Sequence, residues 1–380
     1  MVASLRLALF AAINILTALQ LTSATSLGQT LRRHGSLSLL HETLVKLDLL
    51  SGYEGVDHVT FLAMNNDAIT YLADWGLNLT QIDPIIARVI LDYHIIEGVH
   101  LSKELLRPSS EQQIAHSILR PPVFTNVSEG PAVKLMSRGP HGAKNPATLM
   151  AQSGLQSISK IVDVDLRYDS GIVHVIDRNL VLPHNISETT NLVNTLHDFW
   201  RLIDKSQSRE LLEELADTTI FLPNDAAVRE VLPALDSLTP KQLAVVIANH
   251  VVPNHVLYHT EFTSRAKKYS TLSGKTIKLN RKSEKVLLVD NANILEADIL
   301  IYGGVAHVID KVLLPEQDPS KYHALVDQLI FYIFSKATAH LSVVAAGCAI
   351  GLAVLKVRQW SLREKQRLSM RGHIKGCFGV

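Results

Sequence analysis

Apolar positions along this chain fall into stretches of different rhythm, and the rhythm divides it. An apolar run first spans Leu7 to Leu19, interrupted only by Asn14 and Thr17, after Arg6 and before Thr22, Ser23 and Ala24. A positive start, an apolar stretch and a small-residue exit predict a secretory signal over residues 1–24. A second run, Leu341 to Leu355, is also free of charge. Extended over 339–357, it predicts a helix near the short limit for crossing a bilayer. Seven Lys/Arg against one Glu follow in 356–380. That bias places a basic tail, 358–380, in the cytosol, and the body of the chain in a lumen or outside the cell.

The body shows shorter rhythms, and they recur. Val59-Thr60-Phe61-Leu62-Ala63-Met64-Asn65-Asn66-Asp67 answers to Thr218-Thr219-Ile220-Phe221-Leu222-Pro223-Asn224-Asp225-Ala226. Each is a short apolar strand, a polar turn and a helix start. Val89 to Ile96, with Tyr93-His94 inside it, answers to Val245 to Val252, with Asn249-His250. Gly171-Ile172-Val173-His174-Val175-Ile176-Asp177 answers to Gly304-Val305-Ala306-His307-Val308-Ile309-Asp310. Three blocks in the same order make one duplicated domain. His94 and His174 stand 80 residues apart and His250 and His307 stand 57 apart, so the first copy carries an insertion. It falls around 105–150, rich in Pro, Gly and Ser, and is expected to be a surface loop.

Within a copy, Leu40, Leu44 and Leu47 share one helix face. Asn65 and Asn224 are placed to cap the next helix. Asp83-Pro84 and Thr239-Pro240 read as N-cap and N1 of another, with Thr239 and Gln242 forming a capping box. Gly76 is expected to stop the first of these helices. Short β-branched segments such as Thr276–Leu279 and Val286–Val289 predict strands late in each copy. Helices early and strands late give an α+β class.

These blocks resemble the motifs of fasciclin (FAS1) domains, the closing Gly-x-x-His-x-Ile-Asp with its trailing Leu-Pro most specifically. The resemblance covers 36–184, with the insertion, and 186–316. It implies two tandem FAS1-like domains, each a β-wedge of short strands with flanking helices; the apolar run adds a single transmembrane helix after them. It also implies adhesion or matrix contact without enzymatic activity. The sequence departs from the family pattern at Met64 and Asn249. Through the resemblance, Tyr93, His94, His250 and the Asp298-Ile299 pair become candidate binding residues. The last pair is similar to an acidic segment proposed as an integrin contact in animal members.

Composition narrows the chemistry. The 380 residues carry 37 Lys/Arg and 36 Asp/Glu, so no overall basic excess calls for nucleic acid. Removing the tail and signal leaves the remainder at about −6. The two cysteines, Cys348 and Cys377, fall in the apolar run and the tail, so the body has no disulfide. Much of the mean hydropathy of +0.16 comes from the two ends. Asn78, Asn126 and Asn185 head Asn-x-Ser/Thr tripeptides and are candidate glycosylation sites. The motif histidines most simply satisfy buried backbone, with pH sensing as the sharper alternative. His250, His255 and His259 lack the carboxylate or thiolate that would complete a metal site, and no cofactor or catalytic motif occurs. The expectation is a non-enzymatic protein that meets other proteins or glycans from a membrane anchor, with the basic tail able to touch anionic lipid. The alternative is a vacuolar or other endomembrane protein that supports trafficking.

Overall fold

The computed structural model describes residues 25–314 except 107–111, 123, 140–146 and 194. The expected signal, anchor and tail lie outside these residues. Among the described residues no helix is long and apolar enough to cross a membrane. Contacts gather the described chain into two units. The first holds residues up to 115, with 134–152 and 158–180; the second holds 116–133, 153–157 and 181 onward.

In the first unit, helices α1 (Leu27–Arg33), α2 (Ser38–Lys46) and α3 (Leu50–Glu54) precede strand β1 (Val59–Met64). Next come α4 (Asn66–Asp74), α5 (Pro84–Tyr93), β2 (Ile95–Glu97) and α6 (Ser102–Leu105). Strands β3 (Gln113–His116), β4 (Ala132–Arg138), β5 (Thr148–Gln152), β6 (Ile158–Tyr168) and β7 (Gly171–Ile176) follow. The sheet runs β2-β1-β7-β6-β5-β4-β3. The fully buried β1 pairs in parallel with β7, from Val59 opposite Gly171 to Met64 opposite Ile176. The first and last motifs of the copy therefore lie side by side, one strand in from the β2 edge of the sheet.

The second unit repeats the order. Its elements are α7 (Ile186–Thr190), α8 (His197–Lys205), α9 (Arg209–Glu214), β8 (Thr218–Pro223), α10 (Asp225–Asp236) and α11 (Pro240–Ala248). They continue with β9 (Val251–Val252), β10 (Lys267–Ser270), β11 (Thr276–Ser283), β12 (Val286–Val289), β13 (Ala292–Ile301) and β14 (Gly304–Ile309). The sheet runs β10-β11-β12-β13-β14-β8-β9, with β8 parallel to β14. Phe199, Leu202, Ile203, Ile220, Leu222 and Val246 form the centre of its core.

Local signals act as the sequence implies. Asn65 accepts the Ala68 N–H at 2.8 Å and Asn224 the Ala227 N–H at 2.9 Å. Asp83 accepts from Ile85, and Thr239 and Gln242 complete their capping box. The insertion differs from expectation. Instead of only surface loop, residues 113–116, 132–138 and 148–152 are strands. Ala132, Val133 and Leu135 are buried there, giving the sheet an apolar reason to extend.

Asn249, where the first copy has Tyr93, is also explained. Its Nδ2 donates to the Leu313 carbonyl at 3.2 Å, and its Oδ1 accepts from Ser273 Oγ. Ser273 in turn bonds Thr271. A buried polar network thus stands where the other copy puts an aromatic ring.

The glycine that opens each closing motif has a steric reason. A Cβ at Gly171 would stand 2.1 Å from the Val59 carbonyl oxygen, and one at Gly304 2.0 Å from that of Thr218. Gly304 also has φ +150. Gly171→Ala and Gly304→Ala should each cost about 2 kcal/mol or more, seen as a lower urea midpoint. Gly35→Ala, whose added methyl meets nothing within 4 Å, should leave the midpoint nearly unchanged.

Candidate functional site

The structure moves the motif residues from the surface to the frame. Tyr93, His94, His250, Asp298 and Ile299 are all buried, none more than 3% exposed. Residues so enclosed present no face to a partner, which corrects their reading as contacts. The cause lies in the hydrogen bonds they make. His94 Nδ1 lies 2.7 Å from the Ile90 carbonyl, one turn earlier, and its Nε2 accepts the Leu180 N–H at 2.9 Å. His250 does the same with the Val246 carbonyl at 2.7 Å and the Leu313 N–H at 2.8 Å. A carbonyl only accepts and an amide N–H only donates, so each ring is neutral with its proton on Nδ1. Burial lowers both histidines to a pKa of about 4.

The closing-strand histidines carry the opposite tautomer. His174 Nδ1 accepts the Asp165 N–H at 3.1 Å, and its Nε2 donates to the His100 carbonyl at 2.8 Å. His307 Nδ1 accepts the Asp298 N–H at 3.3 Å, and its Nε2 donates to the Leu257 carbonyl at 2.9 Å. Asp165 and Asp298 both take positive φ, at 56° and 59°, where β6 and β13 bulge. The Asp165 carboxylate receives the Ser102 N–H and hydroxyl. Asp298 receives the His259 N–H at 2.8 Å and faces His259 Nδ1. Asp177 and Asp310 accept the Lys160 and Asn293 N–H groups of the neighbouring strands. Every polar residue of the closing motif is thus committed to the protein's own backbone.

The histidine cluster disperses. His250 is in the core, His255 packs edge-on against Tyr269, and His259 belongs to Asp298. Among the described residues no three His, Cys, Asp or Glu side chains gather to hold a metal.

A different place in the second unit has the make-up of a site. The residues of α7, α8 and the start of α9 surround a cleft of about 340 Å³. Thr190, Asn191, His197, Trp200, Arg201, Asp204 and Arg209 supply its polar and aromatic lining. The Trp200 indole N–H donates to Thr190 Oγ1 at 2.7 Å, which fixes the ring. The Arg209 guanidinium lies 4.8 Å over that ring and grips Asp204 through two bonds of 2.9 and 3.0 Å. Arg201 is 59% exposed and touches Asp198 only at 3.6 Å, while Arg229 holds that carboxylate at 2.8 Å. A rigid aromatic wall, a stacked guanidinium, a loosely held one and an amide can together take an acidic, hydrogen-bonding ligand.

Duplication supplies an internal control. Ser26 and Asn185 both cap the first helix of their unit. Leu39 and Asp198 both donate their N–H to the turn residue, Asn66 or Asp225. In that register the buried Leu27, Leu40 and Leu44 answer to Ile186, Phe199 and Ile203. The cleft residues Thr190, Trp200, Arg201, Asp204 and Arg209 answer to Leu31, His41, Glu42, Val45 and Leu50. The inner face is kept except at Leu31, which becomes the buried Thr190, and the outer positions are rewritten. Sequence reading by motif missed this cleft because it sought what the copies share.

The fasciclin domain family matches residues 17–183 and 194–315. The fasciclin-like arabinogalactan protein CTB11 of Cercospora beticola is 40% identical over 298 residues, 78% of each chain. The fasciclin-like arabinogalactan protein elcF of Phaeosphaeria nodorum is 36% identical over 297 residues, 78% of this chain and 91% of that one. A fasciclin-like arabinogalactan protein of Arthroderma benhamiae is 26% identical over 287 residues, 75% of this chain and 64% of that one. The chain belongs to the fasciclin domain family and carries two tandem FAS1 domains.

The buried imidazoles make stability depend on pH. The folded values of His94 and His250 lie below the ordinary 6.5, so the unfolded chain takes up protons first as pH falls. Their contribution is complete above about pH 6.5 and is lost progressively as pH falls toward 4, on the order of 3 kcal/mol for each. Urea unfolding across this window should show the midpoint falling with acid. His250→Gln should be less stable at neutral pH and show a shallower acid decline.

Proposed function

We propose that this chain is a non-enzymatic extracellular interaction protein. Its two FAS1 domains serve as a scaffold, and the Trp200 cleft of the second unit is a contact surface. The observation that carries the reading is the rewritten outer face of α7–α9 over a preserved inner face. Packing explains why Phe199 and Ile203 answer to Leu40 and Leu44. It gives no reason for the exposed Arg201 and Arg209 to replace Glu42 and Leu50, while Trp200 packs partly against the core. Placing a hydroxyl at Thr190, where the first copy buries Leu31, costs transfer energy. That hydroxyl accepts the indole N–H and donates to the Ile186 carbonyl at 2.7 Å.

Relatives named fasciclin-like arabinogalactan proteins favour display outside the cell over an internal role. The apolar run at 339–357 and the basic residues of 358–380 would tether the body to a membrane with its N-terminus outside, the tail resting against anionic lipid. The partner is a protein or glycan that offers an acidic group to Arg201. The non-enzymatic reading is supported by the motif imidazoles, which are buried and bonded to backbone.

The test uses the full chain with an internal tag, expressed at native level. Intact cells should be labelled from outside and should adhere to one another or to their matrix. The double variant Trp200→Ala, Arg201→Ala should reach the surface in equal amount and lose adhesion several-fold. Labelling confined to internal membranes, or adhesion unchanged in the double variant, contradicts the proposal.

A further inference from the structure

The first unit shows an exposed aromatic pair close in sequence to a modification signal. Helix α4 ends in a closed turn: the Gly76 N–H bonds the Ala73 carbonyl at 2.8 Å and the Leu77 N–H bonds the Leu72 carbonyl at 3.1 Å. Trp75, the last residue before this turn, is 52% exposed, and Tyr71, one turn earlier, is 44% exposed. Their rings meet at 5.8 Å between centroids, with the Arg178 guanidinium 5.6 Å over Tyr71. Leaving two adjacent aromatic rings half in water forgoes burial energy that a covering group would recover. The frame does not require the pair, because the second copy has Glu230 and Ala234 in their places.

Three residues past Trp75 stands Asn78, followed by Leu79 and Thr80. The Thr80 N–H and hydroxyl both donate to Asn78 Oδ1, at 3.1 and 3.0 Å. The amide oxygen is thereby held, and among the described residues Asn78 Nδ2 makes no hydrogen bond. The other two tripeptides differ. Asn126 Nδ2 donates to the Glu214 carbonyl at 3.4 Å, and Ser128 gives its hydroxyl to Asp217 at 2.6 Å. Asn185 Oδ1 caps α7 by accepting the Glu188 N–H at 2.9 Å, and its neighbours Leu182, Pro183 and His184 offer no indole or phenol.

We propose that Asn78 carries an N-linked glycan whose first N-acetylhexosamine packs on Trp75, with Tyr71 extending the platform. The inference rests on the extracellular reading, since the sugar donor is met only in the secretory route. In the transfer, Asn78 Nδ2 attacks the anomeric carbon of a lipid-pyrophosphate-linked oligosaccharide. A C–N bond forms, the C–O bond to pyrophosphate breaks, the amide loses one proton, and the lipid pyrophosphate leaves without any change of oxidation state. The C–H face of the sugar ring then meets the electron-rich indole face. The glycan both hides the aromatic pair from water and braces the turn at Gly76.

The full chain, produced in a secreting eukaryotic host, gives the test. Glycopeptide mass spectrometry should find Asn78 occupied in most copies. Enzymatic trimming to the single core N-acetylhexosamine should leave the melting temperature unchanged, and complete removal should lower it by about 2–4 °C. In Trp75→Ala the trimmed and fully stripped proteins should melt together. A secreted chain unmodified at Asn78, or a loss on stripping that persists in Trp75→Ala, overturns this inference alone. A chain that never enters the secretory route overturns the extracellular reading and this inference with it.

Discussion

A neutral imidazole, sealed between the end of a helix and the segment that leaves the closing strand, is the interaction on which each domain depends. His94 and His250 each take one proton-donating and one proton-accepting role at the same time. Water cannot substitute in a site with no exposed surface, and an unpaired buried N–H or carbonyl costs about 1–3 kcal/mol. The ring therefore fixes where α5 or α11 ends relative to Leu180 or Leu313. That in turn sets the parallel register of the first and last motif strands, which the glycines at 171 and 304 make close enough to pair. His174 and His307 then anchor the bulge, so one domain is locked at two points by the same chemistry.

Because the lock occurs twice, the chain contains its own comparison. Shared residues are those that packing and backbone satisfaction demand. Residues that differ between the copies at outer positions cluster. In the second copy they make the Trp200 cleft. In the first they make the Tyr71–Trp75 pair next to Asn78. The two copies thus keep one frame and specialise different outer faces of it.

Much of the frame was legible beforehand because its signals are local. A cap needs only an Asn or Thr at the right offset, so Asn65, Asp83 and the Thr239–Gln242 box could be read directly. The closing motif revealed the duplication because its Gly, His and Asp are each dictated by a contact that recurs. The insertion was harder: prolines at its edges masked the apolar core of β4, and strand pairing is non-local. The motif histidines carry both a framework and a contact reading in the sequence, and their burial fits the framework one. Recurrence at Tyr93, His94, His250, Asp298 and Ile299 reported burial, and a one-dimensional string does not say which side of a strand faces in at a bulge. The cleft was hidden for a related reason. Thr190, Trp200 and Arg209 lie on three helices, and only their packing brings them together.

The most direct test of the imidazole lock is a long-range proton–nitrogen NMR correlation of the histidine rings in the folded protein. His94 and His250 should both appear as neutral rings protonated at Nδ1, and should stay neutral at about pH 5.5, where an ordinary histidine is mostly charged. Protonation at Nε2, or a titration midpoint near 6.5 for either ring, would contradict the account.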